Sequence, residues 1–527
     1  MVSGNAQVLP KRREYIYRAL PFVLSIVAFL FYTLWNEVEA VWYDEVFTLS
    51  VIRHSWGKIV EYLSIDVQSP LYYFLIKLYG IIFGNSIGVL RSFSALGVIA
   101  TAMLGFGPLK RLLGREVGVI FAILWLILPV NFSRAMEMRM YTMTAFFVMG
   151  AVLYGFLLMK ESSIKDWIKF SIFSIAGMYM HYYALLAILF FWVFFFLLIL
   201  LRKDRERLKF ILIFGGIVAL LYAPWIYVFF KQMNRVHEVL YISKITFGKI
   251  LRLPFSMFME KFSDIYFIPT FVFLSVTYVI LTSWGIYSSL VSGEKEVFFV
   301  LLGLLLFFMM SIAQVLIYFF FHSCFSSRYI YFVTPFQVLG MVWGIKKLNR
   351  DKFKLLSLIF ISIVVFPELF FVLSGVYYMP VREAVSYLKE RVKEGDVFVH
   401  LNQMTGVVFS YYFKDNPHIV YISPWVNNKI YYKTHKIYEP EITFCSNLMR
   451  SDLIGKDIWL VYDSYYQLGC KILLKEILKK ECEQKEELKI FRTSCNKFDV
   501  VFVRVSLKKE IVSKLLLSNE NRLVIGN

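Results

Sequence analysis

The chain of 527 residues is 58% hydrophobic and 19% aromatic, with only 18% charged side chains and a mean hydropathy of +0.61. Those values exclude a soluble globular protein and leave an integral membrane protein as the class. The formal net charge of +19 does not point to nucleic acid, because Lys and Arg concentrate in short loops between apolar runs, the pattern that sets membrane orientation.

In chain order, Lys11, Arg12 and Arg13 precede an apolar run from Pro21 to about Trp35. No small-residue cleavage site follows, so the segment predicts a first transmembrane helix rather than a removed signal peptide. A span needs about twenty apolar residues. About eleven stretches qualify, near 19–36, 88–108, 116–132, 141–159, 167–180, 182–201, 209–230, 266–290, 297–320, 329–345 and 355–377. The loops carrying Lys110, Arg111 and Arg115, then Lys160, Lys165 and Lys169, then Arg202, Lys203, Arg205 and Arg207, then Lys346, Lys347, Arg350 and Lys352 read as cytoplasmic. The N-terminus is then cytoplasmic, in a multi-pass protein of the plasma membrane.

The apolar stretch Pro70 to Phe83 is too short for a span, and counting it as one would reverse every later loop. It predicts an interfacial or re-entrant helix in a first outer loop over 40–87. Before it, Trp56, Ile59, Val60 and Leu63 recur at helical spacing and predict a second helix lying on the membrane. After about residue 378 the pattern turns soluble. Val381, Val385, Leu388 and Val392 predict an amphipathic helix, strands follow from Val397, His418, Asp457 and Asp499, and a helix lies near Lys471 to Lys480. The expected fold is therefore an α-helical polytopic domain over 1–377 and a small extracytoplasmic α/β domain over 378–527. Cys324 sits near a membrane edge, whereas Cys445, Cys470, Cys482 and Cys495 fall in the last domain. These four allow three pairings or thiols, and the lack of a CxxC pair argues against a zinc site made from them.

Charged residues in outer loops are costly at the membrane boundary and tend to be paired or functional. Here they recur in order: Asp44 and Glu45 after Trp42 and Tyr43; Asp66; Arg134, Glu137 and Arg139; His181 in a three-residue HYY loop; Lys231, Arg235, His237, Glu238 and Lys244; and His322 to Arg328. Carboxylates converging with Arg and His suit a hydroxyl nucleophile and an anionic leaving group. The carboxylate takes the proton, and the cation stabilises the departing phosphate. Ordinary snorkelling or salt-bridged charges remain the alternative for each residue taken alone.

The motifs WYDE after the first helix, Asp66-Val67-Gln68-Ser69-Pro70-Leu71-Tyr72-Tyr73, Arg91, SRAMEMRMY, HYY and SRYIYFVTP resemble the GT-C glycosyltransferases. The resemblance is strongest to glycosyltransferase family 39, which includes protein O-mannosyltransferases and lipid A aminoarabinose transferases. It runs from about residue 20 to 345 and more loosely into the last domain. It implies an enzyme that moves a monosaccharide, with inversion, from a polyprenyl-phosphate donor to a lipid, glycan or protein hydroxyl outside the membrane. It implies Asp44 as general base and Glu45 as its neighbour in orienting the acceptor or binding metal. Asp66 and Glu137 match further acidic positions for acceptor or metal, and Arg139, Arg328 and Arg91 match positions for the donor phosphate. His181, Tyr182, Gln68 and Tyr72 are pocket candidates. A divalent metal ion is a candidate cofactor whose ligands stay open, because many relatives have His and Pro where this chain has Gln68 and Ser69. The competing readings are a transporter or flippase of lipid-linked sugars and a non-catalytic cell-envelope subunit.

Overall fold

The computed structural model describes residues 11–34, 36, 40–234, 245–255, 268–321, 325–373, 381–421, 442–445, 448, 450–463, 467–486, 489–492 and 499–514. Trp35, Arg235, His237, Glu238, Lys244, His322, Cys324, Cys495 and the expected boundary at 377/378 lie outside the described residues.

A long helix α1 (Lys11–Thr33) leads to three short ones, α2 (Tyr43–Ile52), α3 (Trp56–Ile65) and α4 (Leu71–Phe83). The membrane bundle continues with α5 (Ile87–Met103), α6 (Arg115–Ile127), α7 (Pro129–Ala135), α8 (Tyr141–Lys160), α9 (Ile164–Met180), α10 (Tyr182–Leu201) and α11 (Arg205–Met233). It ends with α12 (Ile268–Ser292), α13 (Val297–Phe321), α14 (Thr334–Lys346) and α15 (Asp351–Leu373). Among the described residues seven helices are long and apolar enough to cross a membrane, or eight if the bent pair α6 and α7 is one span. Three of the eleven expected spans, now α9 (17 residues), α14 (13 residues) and α15 (23 residues), fall outside that count.

The expected span over 116–132 is broken. Pro129 disfavours helical backbone at Leu128, whose ψ is 129°, and the chain bends by 64° between α6 and α7. Asn131 Nδ2 then donates to Trp125 O at 2.5 Å, satisfying a carbonyl at the end of α6. Pro108 distorts the other end of the α5 rod into a π-helical turn over Gly105–Leu109. The helical pattern before residue 70 is split at Arg53–Ser55 into α2 and α3, and of its four apolar positions only Ile59 and Leu63 are buried, Trp56 and Val60 being exposed.

Backbones meet directly where the site is built. A Cβ on Gly97 would lie 2.7 Å from Met143 N, so α5 and the start of α8 touch without side chains between them. This brings the end of α5 that carries Arg91 close to the loop that carries Arg139.

The C-terminal part folds around a seven-stranded sheet of order β3-β2-β1-β4-β7-β5, with β6 also on β7. Its elements are helix α16 (Val381–Lys389), β1 (Val397–His400), α17 (Gln403–Tyr412), β2 (His418–Tyr421), β3 (Thr443–Cys445), β4 (Ile458–Asp463), α18 (Gln467–Lys480), β5 (Cys482–Gln484), β6 (Lys489–Arg492) and β7 (Asp499–Leu507). Strands β1 to β4 are mutually parallel and β7 runs antiparallel to β4. Apolar clusters cover both faces, as fully buried central strands require, and Cys445, Cys470 and Cys482 sit in one of them.

Candidate active site

Helix α2 is a ten-residue segment held in place by one buried acid. Glu45 is fully buried and forms a two-point ion pair with Arg91: Nε to Oε1 at 2.8 Å and Nη2 to Oε2 at 2.7 Å. Glu45 also accepts from Met138 N at 3.0 Å and reaches back to Trp42 N at 3.4 Å, closing the helix N-terminus. Arg91 uses its remaining donors on Asn36 O (2.6 Å) and Ala40 O (3.2 Å). At the far end, Lys77 Nζ donates to Ile52 O (2.7 Å) and His54 O (2.5 Å), placing a cation at the helix C-terminus.

One residue earlier, Asp44 turns the other way, toward two arginines. Its Oδ2 lies 3.2 Å from Arg328 Nη1 and 4.0 Å from Arg139 Nε. Arg139 comes from the loop between α7 and α8, which is stapled down through its backbone. Ser94 Oγ donates to Glu137 O (2.5 Å), and Thr48 Oγ1, on α2 itself, donates to Met138 O (3.1 Å). Arg328 comes from the 3-10 turn Ser327–Val333 and packs over Trp42 (5.5 Å) and Tyr329 (5.4 Å). Arg139 also donates to Tyr73 OH (3.1 Å) and Gln68 Oε1 (3.4 Å).

The segment from Asp66 to Pro70 forms the adjoining wall. Gln232, near the end of α11, donates to Leu63 O and Asp66 O, both at 2.6 Å, and accepts from Tyr182 OH, which Trp225 Nε1 contacts at 2.9 Å. Burial pushes the Asp66 carboxyl up to about 6; the nearby Asp44 charge adds to the rise, while the Val67 N–H and Arg139 oppose it. His181, in the link between α9 and α10, is buried, and burial together with the Arg139 and Arg328 charges drives its imidazole down to about 3. It is therefore neutral, stacked on Tyr183 and tilted against Tyr329, at 5.8 Å from each.

The structure thus brings Asp44, Asp66, Gln68, Arg139, Arg328, Tyr182 and His181 to one end of the bundle. Four expected site residues serve elsewhere. Glu45 and Arg91 pair with each other in the buried interior. Glu137 is 1% exposed and bonded to Arg134 at 2.9 Å, with Arg328 also within its electrostatic reach. Tyr72 points to Ser94 at 3.3 Å, and it is Tyr73 that meets Arg139. Successive helical residues diverge by about 100°, so a motif that reads YY does not tell which ring faces the site. Tyr73, Trp42, Tyr329 and Gln232 are the contributors absent from the expected set; Trp42 and Tyr329 flank its acid and arginine motifs. Among the described residues no three His, Cys, Asp or Glu side chains are grouped as metal ligands, and Glu45 and Glu137 are each committed to an arginine. These residues do not fit a carboxylate or histidine metal cage.

A family model described as dolichyl-phosphate-mannose-protein mannosyltransferase matches residues 67–228. No curated protein matches the chain. ArnT from Cupriavidus metallidurans in the apo state is a similar solved structure, with TM-score 0.56 and 9% identity over 93% of this chain and 98% of that one. ArnT bound to undecaprenyl phosphate follows at TM-score 0.53 and 10% identity, covering 93% and 97%. The Archaeoglobus fulgidus oligosaccharyltransferase complex with Zn and sulfate scores 0.49 at 12% identity, covering 90% and 72%. At the ArnT scores the likeness shows the fold: over 93% of its length this chain shares the architecture of that structure.

Two substitutions test the site's construction. Glu45→Ala leaves the Arg91 guanidinium buried without its acid and is expected to cost about 3–5 kcal/mol. Thermal unfolding in detergent should show the loss, with partial recovery in Glu45→Leu/Arg91→Leu, since replacing both charges removes the uncompensated one. For Asp66, a folded-state pKa raised from 3.8 to about 6 means that stability is full below the ordinary value and falls as pH rises through 6. Asp66→Asn should therefore be more stable than the parent at pH 8, by about 3 kcal/mol, and equally stable at pH 4.

Proposed function

We propose that this protein is a membrane glycosyltransferase that moves a monosaccharide from a polyprenyl-phosphate donor to a hydroxyl of a lipid, glycan or protein acceptor, inverting the anomeric carbon. The observation that carries the reading is the Asp44 carboxylate set between Arg328 and Arg139 on a helix locked from beneath. In the reaction Asp44 takes the proton from the acceptor hydroxyl as its oxygen bonds to the anomeric carbon. The bond from that carbon to the phosphate oxygen breaks on the opposite face, and the electron pair leaves with the lipid phosphate. A single displacement of this kind inverts the centre. Arg139 and Arg328 meet the phosphate: the buried Nε of each has no hydrogen-bond partner among the described residues, so both retain a donor for an anion. The family-model description and the undecaprenyl phosphate held by the ArnT relative support a donor of this class.

The site and the sheet domain lie, in this reading, on the extracytoplasmic side. Support comes from the basic residues at the opposite helix ends: Arg111 pairs with Asp166 at 2.8 Å, Arg115 with Glu14 at 2.9 Å and Lys354 with Glu116 at 2.6 Å. That end satisfies the positive-inside rule.

Asp44→Asn, assayed in membranes with radiolabelled undecaprenyl-phosphate monosaccharides, should lower transfer by about 10²- to 10⁴-fold at unchanged expression. Transfer at the parent rate would remove Asp44 from the chemistry, and lipid movement without transfer would favour a transporter. Ser386→Cys in the sheet domain should be labelled by an impermeant thiol reagent in intact cells; labelling only after lysis would reverse the orientation.

A further inference from the structure

A hydroxyl of the sheet domain bonds the chain where it enters α2. Helix α17 packs against α2, and the contact is apolar around its rim. Val407, Val420 and Ile442 of the sheet domain belong to the same buried cluster as the membrane helices, while Ala40 and Tyr43 pack against the cluster on the domain's other side. At the centre Val41 N donates to Tyr412 OH at 2.7 Å, across 371 residues of chain. Val41 immediately precedes Trp42, the N-cap of α2, and Asp44 lies in the first turn.

We infer that Tyr412 is a positioning residue for the acid at Asp44, which makes the sheet domain part of the active site rather than a separate module. The inference rests on the transferase reading. The chain enters α2 with two consecutive amide donors. Trp42 N reaches Glu45 Oε2 at a long 3.4 Å, and the shorter, better bond at Val41 comes from Tyr412. Glu45 and Arg91 fix α2 from the bundle side, Thr48 ties it to the Arg139 loop, and Tyr412 holds the end where the chain enters. Without that hydroxyl the first turn rests on the bundle contacts and the apolar rim, and the Asp44 carboxylate loses a restraint that keeps it 3.2 Å from Arg328. The amide at Val41 would also open more readily to solvent. Small misplacements of a reacting group are expensive in rate.

The test uses the full chain in lipid nanodiscs and compares Tyr412→Phe, which keeps the ring and its packing, with Tyr411→Phe beside it. Hydrogen exchange of the peptide spanning 40–50 should quicken about tenfold in Tyr412→Phe and stay at the parent rate in Tyr411→Phe, with melting temperatures alike. Turnover with undecaprenyl-phosphate monosaccharides should fall about five- to tenfold in Tyr412→Phe, in kcat and not in donor KM. Unchanged exchange at 40–50, or equal effects in the two variants, would overturn the inference even if transfer proceeds. Absent transfer by the parent chain would overturn the transferase reading alone, because the exchange measurement still decides whether Tyr412 restrains α2.

Discussion

The site hangs on a buried ion pair that takes no part in the chemistry proposed. Glu45 and Arg91 sit in an apolar surround at 0% and 1% exposure, where an isolated charge is prohibitive and even a pair is tolerated only when its remaining donors and acceptors are used. They are used: Glu45 takes two backbone amides besides the guanidinium, and Arg91 takes two carbonyls besides the carboxylate. Five points of chain are thereby fixed relative to one another: the end of the first helix, the entry to α2, α2 itself, the start of α5 and the loop carrying Arg139. Asp44, one residue along, inherits that rigidity while facing the opposite way.

This division between neighbours explains how far the sequence alone could be read. The alternation of apolar runs and basic loops was enough to gather Asp44, Asp66, Arg139 and Arg328 at one end of the bundle. Rotation about a helix axis was not legible. Glu45 and Arg91 carry the same residue types as the site, and Tyr72 the same type as Tyr73, yet packing sends them to the interior. The same limit applies to Glu137, whose hydrogen-bonded partner Arg134 lies one helical turn earlier. Gln232 was silent for a different reason: its role is to collect backbone carbonyls, which depends on three-dimensional closure and leaves no compositional mark.

In the sheet domain the strands from Val397, His418, Asp457 and Asp499 were read correctly because continuous β-branched and aromatic runs mark buried parallel or central strands. Helix α17 was not. Its sequence QMTGVVFSYY mixes β-branched and aromatic residues with a glycine, and what makes it a helix is its cap at Asn402, whose side chain accepts from Thr405 N at 3.0 Å, together with burial against β1, β2 and α2. The element with the weakest local signal is therefore the one that joins the two halves.

The break at Leu128–Pro129 also has a mechanical meaning. Asn131, which repairs the interrupted helix by bonding Trp125 O, accepts Tyr331 OH at 2.5 Å on its other atom. Tyr331 stands one 3-10 turn beyond Arg328, and Asn131 stands in the helix that leads to Arg139. A single amide side chain thus spans the two strips of backbone that bear the arginines. The two arginines are carried as a jaw of set width rather than as two independent fingers, and the gap between them is chosen by the fold.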